Sequence, residues 1–256
     1  MLPIDLQILK YIFFEKPIYH YKIKPFLKWD SYHQLTETLE QYETNPDLLK
    51  KPLTETPFTI FDLETTGFIP EIGHEIISIG AIRISGFQHC RVKRLHQIIR
   101  PIRPVGKETL RLTGLTRSDI DNASSFIHGF QQFYEFSKDS ILVAHPAKFD
   151  MRFVKTMLKR WKLPVYDPPV IDSQLMAQWL LPDKKHQLDP LLRHFKIKKL
   201  ERHHALNDAI MTAELFENLL RLTQETGIKN YEQLNRRLNR IPDPDPSLDM
   251  TNLYGQ

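Results

Sequence analysis

Apolar and polar positions switch between two periods along this chain, and each switch marks an element. Phe58 to Phe61 is an unbroken apolar and β-branched run that predicts a buried strand, closed by Asp62, Glu64 and Gly67. Glu75–Ile84, rich in isoleucine, predicts a second strand. Ser85-Gly86 marks a turn, and Arg91–Ile99 predicts a third strand returning antiparallel, ended by Pro101 and Pro104. The segment Gly106–Thr116 comes next, then helical spacing over Ser124–Phe136. Ile141–Ala144 predicts a short buried strand. Pro146 suits the first turn of the following helix, where its missing N–H costs nothing, and Phe149, Phe153, Val154, Met157, Leu158 and Trp161 give that helix a wide apolar stripe. Val170-Ile171 predicts a fifth strand. Helices follow around Leu175–Leu180, over Leu188–Phe195, and over Ala205–Leu222 with Ala209, Ala213, Phe216 and Leu220 facing inward. A three-strand meander followed by alternating helices and strands predicts a mixed-sheet α/β domain over residues 56–225.

The flanks have another character. Residues 1–55 predict a small, mostly helical N-terminal extension. Pro3 opens a short helix with Ile4, Ile8, Tyr11 and Ile12 on one stripe. An aromatic, basic run from Tyr19 to Trp29 is broken by Pro17 and Pro25. Ser31 and Gln34 have capping-box spacing ahead of Tyr32, Leu35, Leu39 and Tyr42. The extension reads as packing on the main domain, with a docking surface as the alternative. Asn45–Pro57, with three prolines, predicts the linker. Residues 226–256 form a C-terminal extension whose Pro-rich end, 240–256, has no core pattern and predicts a mobile tail.

Composition changes this picture little. With 41% hydrophobic and 26% charged residues, the 256-residue chain has ample core for a globular protein. A formal charge of +4 favours polyanionic partners mildly. The single cysteine, Cys90, excludes an internal disulfide or a Cys-based zinc site. The first ten residues carry Asp5 and Lys10, which makes a poor signal peptide, and no apolar run has membrane-spanning length. A cytoplasmic location with no membrane association is therefore expected.

The chemistry begins where the first strand ends. Asp62 and Glu64, two positions apart, point to one face and repel, which suits a divalent cation held between them or two solvated acids at a strand end. Asp150 and Asp208 each fall in the first turn of a predicted helix. Two accounts fit both: a first-turn acid favoured by the helix dipole, or a further ligand. Asp172 and Asp189 read as helix-capping acids. Seven basic residues between Lys184 and Arg202 suit phosphate tracking and a solvated face equally.

Three blocks, Phe61-Asp62-Leu63-Glu64-Thr65-Thr66-Gly67, Leu142 to Asp150, and His203 to Asp208, resemble in content and order the DEDDh 3′–5′ exonucleases, the DnaQ-like superfamily that includes the proofreading epsilon subunit of bacterial DNA polymerase III. The likeness covers roughly residues 57–222. It implies a ribonuclease H-like fold with a five-stranded mixed sheet flanked by helices. It implies that Asp62, Glu64, Asp150 and Asp208 hold two Mg²⁺ or Mn²⁺ ions, and that His203 is the general base. His204 falls outside the family's His-x-Ala-x-x-Asp spacing. Thr65, Thr66, Phe68, Glu108, Thr113 and Phe149 match positions that meet the terminal nucleotide, with a solvated helix acid as the alternative for Glu108 and core packing for Phe149. Pro146 departs from the asparagine many relatives carry there. The implied activity is removal of nucleoside 5′-monophosphates from the 3′ end of DNA, single strands preferred, in proofreading or repair and with a DNA polymerase subunit as a possible partner. The alternatives are the same chemistry on RNA, or a non-catalytic nucleic-acid-binding polymerase accessory subunit.

Overall fold

In a computed structural model of the chain, residues 4–86 and 88–241 are described. Pro3 and the tail from 242 onward, on which two of the expectations above fall, lie outside them. The strands are β1 (Pro57–Thr65), β2 (Ile76–Ser85), β3 (Gln88–Ile98), β4 (Ile141–Ala144) and β5 (Val170–Asp172). They form one mixed sheet in the order β3-β2-β1-β4-β5. The β1–β2 and β2–β3 pairs are antiparallel, and the β1–β4 and β4–β5 pairs are parallel.

Twelve helices accompany the sheet among the described residues: α1 (Ile4–Lys10), α2 (Lys16–Ile23), α3 (Asp30–Glu40), α4 (Pro46–Lys50), α5 (Lys107–Thr113), α6 (Arg117–Asp121), α7 (Phe126–Ser137), α8 (Ala147–Arg160), α9 (Ser173–Leu180), α10 (Leu188–His194), α11 (Ala205–Glu225) and α12 (Tyr231–Leu238). Both faces of the sheet are covered, which is why β1 and β4 are apolar at consecutive positions instead of alternating. On one face Phe61, Leu63, Leu142 and Ala144 meet Phe130 and Phe133 of α7 and Phe153 and Met157 of α8. On the other, Phe58, Ile60 and Val143 meet Met211, Leu215 and Phe216 of α11. Asp62 and Glu64 continue the Phe58–Ile60 face, so they emerge where that core runs out.

The N-terminal extension packs into the first of these cores through Tyr19, Ile23, Leu35 and Leu39. Several local expectations change here. Ile8 and Ile12 are exposed, and the inward stripe is Tyr11, Glu15, Tyr19 and Ile23. A strict four-residue stripe drifts on a 3.6-residue helix, and the wider π turn at Tyr11–Glu15 takes up the drift. Pro17 sits at the start of α2 and does not break the chain's helical path. The Ser31 capping box does not form, because α3 starts two residues earlier than that cap requires, at Asp30 with Trp29 before it. The Asn45–Pro57 linker contains α4, capped by Asn45 accepting from the Asp47 N–H at 2.9 Å. Buried Leu53 and an isolated bridge from Pro52 to Asn230 hold the linker down. α12 packs on the second core through Leu234.

Glu75 ties the extension to the rim of β1. Its carboxylate, pushed up in pKa by burial, accepts from Tyr19 Oη at 3.2 Å and from the N–H groups of Ile102 and Arg103 at 3.0 and 2.9 Å. Its backbone in turn exchanges hydrogen bonds with Thr66, at the end of β1.

Candidate active site

Four carboxylates converge at the end of β1. Asp62 lies opposite Gly80 and Glu64 opposite Ser78 in the β1–β2 register. A Cβ on Gly80 would overlap the backbone of Ala205 and Leu206, so the bare glycine lets the first turn of α11 settle against the sheet. That approach delivers Asp208, only 3% exposed, to Asp62 and Glu64. One ligand atom from each of the three lies within 4.8 Å of the others. Asp150, in the first turn of α8 and equally buried, is outside that triangle. The Leu63 backbone, between the other two acids on β1, offsets part of the rise in its pKa.

This crowding disfavours ionisation. Burial, then the charges of Asp150, Asp208 and Glu64, push the Asp62 pKa well above its usual range. Burial and Asp208 push Glu64 up to about 8. Asp150 rises through burial and then Asp172, and Asp208 rises through burial against the opposing pull of Arg202. Hard oxygen donors so close together, and so reluctant to carry their charges unaided, fit a hard divalent cation such as Mg²⁺ or Mn²⁺.

The two adjacent histidines divide their roles. His204 caps α11, its Nδ1 accepting from the Asn207 N–H at 3.4 Å. Its ring lies 4.5 Å from that of His96, which is hydrogen-bonded to buried Ser78 at 3.0 Å. His203 is exposed, takes a left-handed φ of 60°, and donates its N–H to Asp208 at 3.0 Å. Partial burial and the Arg202 charge lower its pKa.

Around the acids, Phe68 and Phe149 are half-buried with ring centroids 6.4 Å apart. The Thr65 hydroxyl donates to the Gly67 carbonyl at 2.8 Å. The Thr66 N–H is engaged by Glu75 at 2.9 Å, which leaves it committed within the loop. Gly67 leaves room for the His74 ring, whose atoms would sit 2.5–2.7 Å from a Cβ there. Glu108 is exposed on α5, while Thr113 is buried with its hydroxyl donating to the Thr109 carbonyl. Neither is hydrogen-bonded or ion-paired to the acid cluster among the described residues. Pro146 directly precedes α8 and, lacking an N–H, leaves the start of that helix to other groups.

Asp172 caps α9, accepting from the N–H groups of Gln174 and Leu175. Asp189 differs from its expected capping role: Gln187 precedes α10, and Asp189 pairs instead with Lys199 at 2.6 Å and Arg202 at 2.9 Å. Lys199 and Arg202, taken from the sequence as part of a basic run, are thus engaged with acids. Gly80 escaped the sequence reading, although an isolated glycine inside Ile79-Gly80-Ala81 signals close backbone approach.

Residues 59–216, more than half of the chain, match the RNase T family, described as exonuclease. The chain is 32% identical over 187 residues to a PolC-type DNA polymerase III of Thermotoga maritima, covering 73% of this chain and 14% of that polymerase. It is 37% identical over 195 residues to the PolC-type enzyme of Streptococcus pyogenes, covering 75% and 13%. It thus spans about one seventh of the length of these relatives. Its fold is similar to the nuclease domain of 3′hExo, a DEDDh family member bound to rAMP (TM-score 0.58, 19% identity, 65% of this chain and 92% of that one). It is also similar to Exonuclease X in complex with 5′ overhanging duplex DNA (TM-score 0.54, 22% identity, 69% and 96%).

Proposed function

Because the chain belongs to the RNase T exonuclease family, we propose that it is a DEDDh-type enzyme that removes nucleotides one at a time from the 3′ end of DNA, releasing nucleoside 5′-monophosphates. The observation that carries this reading is the Asp62–Glu64–Asp208 triangle, with Asp150 close enough to act on Asp62, at the carboxyl ends of parallel strands β1 and β4. Asp62, Glu64, Asp150 and Asp208 would hold two Mg²⁺ or Mn²⁺ ions. Such ions supply Lewis acidity to a phosphodiester and lower the pKa of water.

The chain's own residues supply the rest. His203, exposed at the edge of the cluster with a lowered pKa, is neutral near pH 7 and takes up the proton of the attacking water. His204 holds the first turn of α11 in place. Phe68 and Phe149 offer apolar surface to the terminal nucleotide, and Thr65 and Thr66 lie at the end of β1 beside it. A terminal phosphodiester has to reach acids at the end of β1 and at the first turns of α8 and α11, which favours single-stranded or frayed ends. The identity with PolC-type polymerases favours DNA and a role in proofreading or repair beside a polymerase. Among the described residues no helix is long and apolar enough to cross a membrane.

The test uses 3′- and 5′-labelled single-stranded DNA and RNA of equal sequence, with Mg²⁺, Mn²⁺ or EDTA. Metal-dependent shortening from the 3′ end, faster on DNA, is the expected result. Faster cleavage of RNA would reassign the substrate. Tight binding with no cleavage of either would refute the catalytic reading.

A further inference from the structure

Arg202 stands immediately before the two histidines and turns its side chain back into the acid cluster. One guanidinium nitrogen, Nη1, pairs with Asp208 Oδ1, while Nε pairs with Asp189 Oδ1 at 2.9 Å. The other Asp208 oxygen accepts the His203 N–H. Both oxygens of one corner of the triangle are therefore engaged by the loop that carries the histidines. The Arg202 side chain is 26% exposed and that of Asp189 is 34% exposed, so both lie at the edge of the cluster and not in its core.

We propose that Arg202 is a tethered cation that competes with a divalent ion for Asp208. This inference rests on the reading of the acids as metal ligands. A guanidinium and a metal ion cannot share one carboxylate oxygen inside a triangle 4.8 Å across without strong repulsion between the two cations. Entry of the ion is therefore an exchange: Arg202 releases Asp208 and stays on Asp189, which keeps it beside the site. Lys199, on the other oxygen of Asp189 at 2.6 Å, helps fix that resting place. In this arrangement the metal concentration at which the site fills is set by the chain itself. If the released form of Arg202 makes up about a tenth to a hundredth of the molecules, the apparent affinity falls by the same factor.

Arg202 and Asp189 provide variants of opposite sign. Mn²⁺ is titrated calorimetrically into the full chain and into Arg202→Gln and Asp189→Asn, without substrate. Arg202→Gln is expected to tighten Mn²⁺ binding about tenfold or more, since the competitor is gone. Asp189→Asn is expected to weaken it, because the guanidinium loses its alternative partner. Arg202→Lys, which keeps the charge but not the fork that reaches both acids, is expected to fall between wild type and Arg202→Gln and serves if the glutamine variant does not fold. The melting temperature gained on going from EDTA to Mn²⁺ is expected to be larger in Arg202→Gln than in wild type. Unchanged or weaker binding in Arg202→Gln, with an equal loss of melting temperature in both conditions, would make Arg202 a strut of the loop and overturn the inference alone. No Mn²⁺ binding by any of the four folded proteins would overturn the metal reading itself.

Discussion

Gly80→Ala isolates the contact on which the geometry of the acid cluster depends. The new methyl group would lie closer to the backbone of Ala205 and Leu206 than the 3.0 Å that real Cβ atoms respect. No flexible side chain stands there to give way, so the first turn of α11 must back off by on the order of 1 Å to regain normal contact. Overpacking of this kind costs about 2 kcal/mol, or about 6 °C of melting temperature for a chain of this length. The same displacement carries Asp208 and His203 away from Asp62 and Glu64. A misplacement of about 1 Å costs roughly 100-fold in rate. The assay pairs thermal melting with cleavage of a 3′-labelled single strand, and Gly106→Ala is the control, because a Cβ there meets nothing closer than 3.9 Å. A Gly80→Ala protein with wild-type melting temperature and rate would refute the claim that this glycine seats α11.

Three further outcomes are expected. Asp62→Asn removes one of the mutually repelling carboxylates, so cleavage should drop by about 1,000-fold or more while the melting temperature in EDTA holds or rises; near-normal turnover would sink the ligand assignment. His203→Ala should lower kcat with little loss of stability, whereas His204→Ala should lose about 1 kcal/mol of stability with the loss of the α11 cap. The reverse pattern, read from melting and single-turnover rates, would exchange the two roles. The His145 pKa is lowered to about 4 by burial, with hydrogen bonds to Ser173 Oγ and the His186 carbonyl, both at 2.9 Å. Between about pH 6.5 and 4 the unfolded chain binds this proton and the folded chain does not, so the contribution of His145 is intact above pH 6.5 and is lost as pH falls through 4. Denaturant titrations across that range should show a steeper loss in wild type than in His145→Gln, and parallel slopes would remove His145 as the cause.

Period and punctuation in the chain carried most of the fold. β1, β2, β4, β5, α8, α9 and α11 lie close to where apolar runs and stripes put them, because each is buried deeply enough that its hydrophobic pattern is unambiguous. Two of the acids were also legible as candidates, since Asp62 and Glu64 interrupt a core strand with two like charges on one face. The inward stripe of the N-terminal helix, the short helix inside the proline-rich linker, and α12 were not. There the decisive contacts come from distant residues, such as Glu75 for Tyr19 and Asn230 for Pro52, and local pattern is silent about them. Within the site, charge and spacing singled out Asp62 and Glu64 as candidate ligands, and the family resemblance added Asp150, Asp208 and His203. That Gly80 admits α11, that Asp189 holds Arg202 instead of capping a helix, and that the guanidinium reaches Asp208 are consequences of elements far apart in sequence meeting in space. Such contacts depend on backbone separations of an ångström or so, which only the packed structure sets.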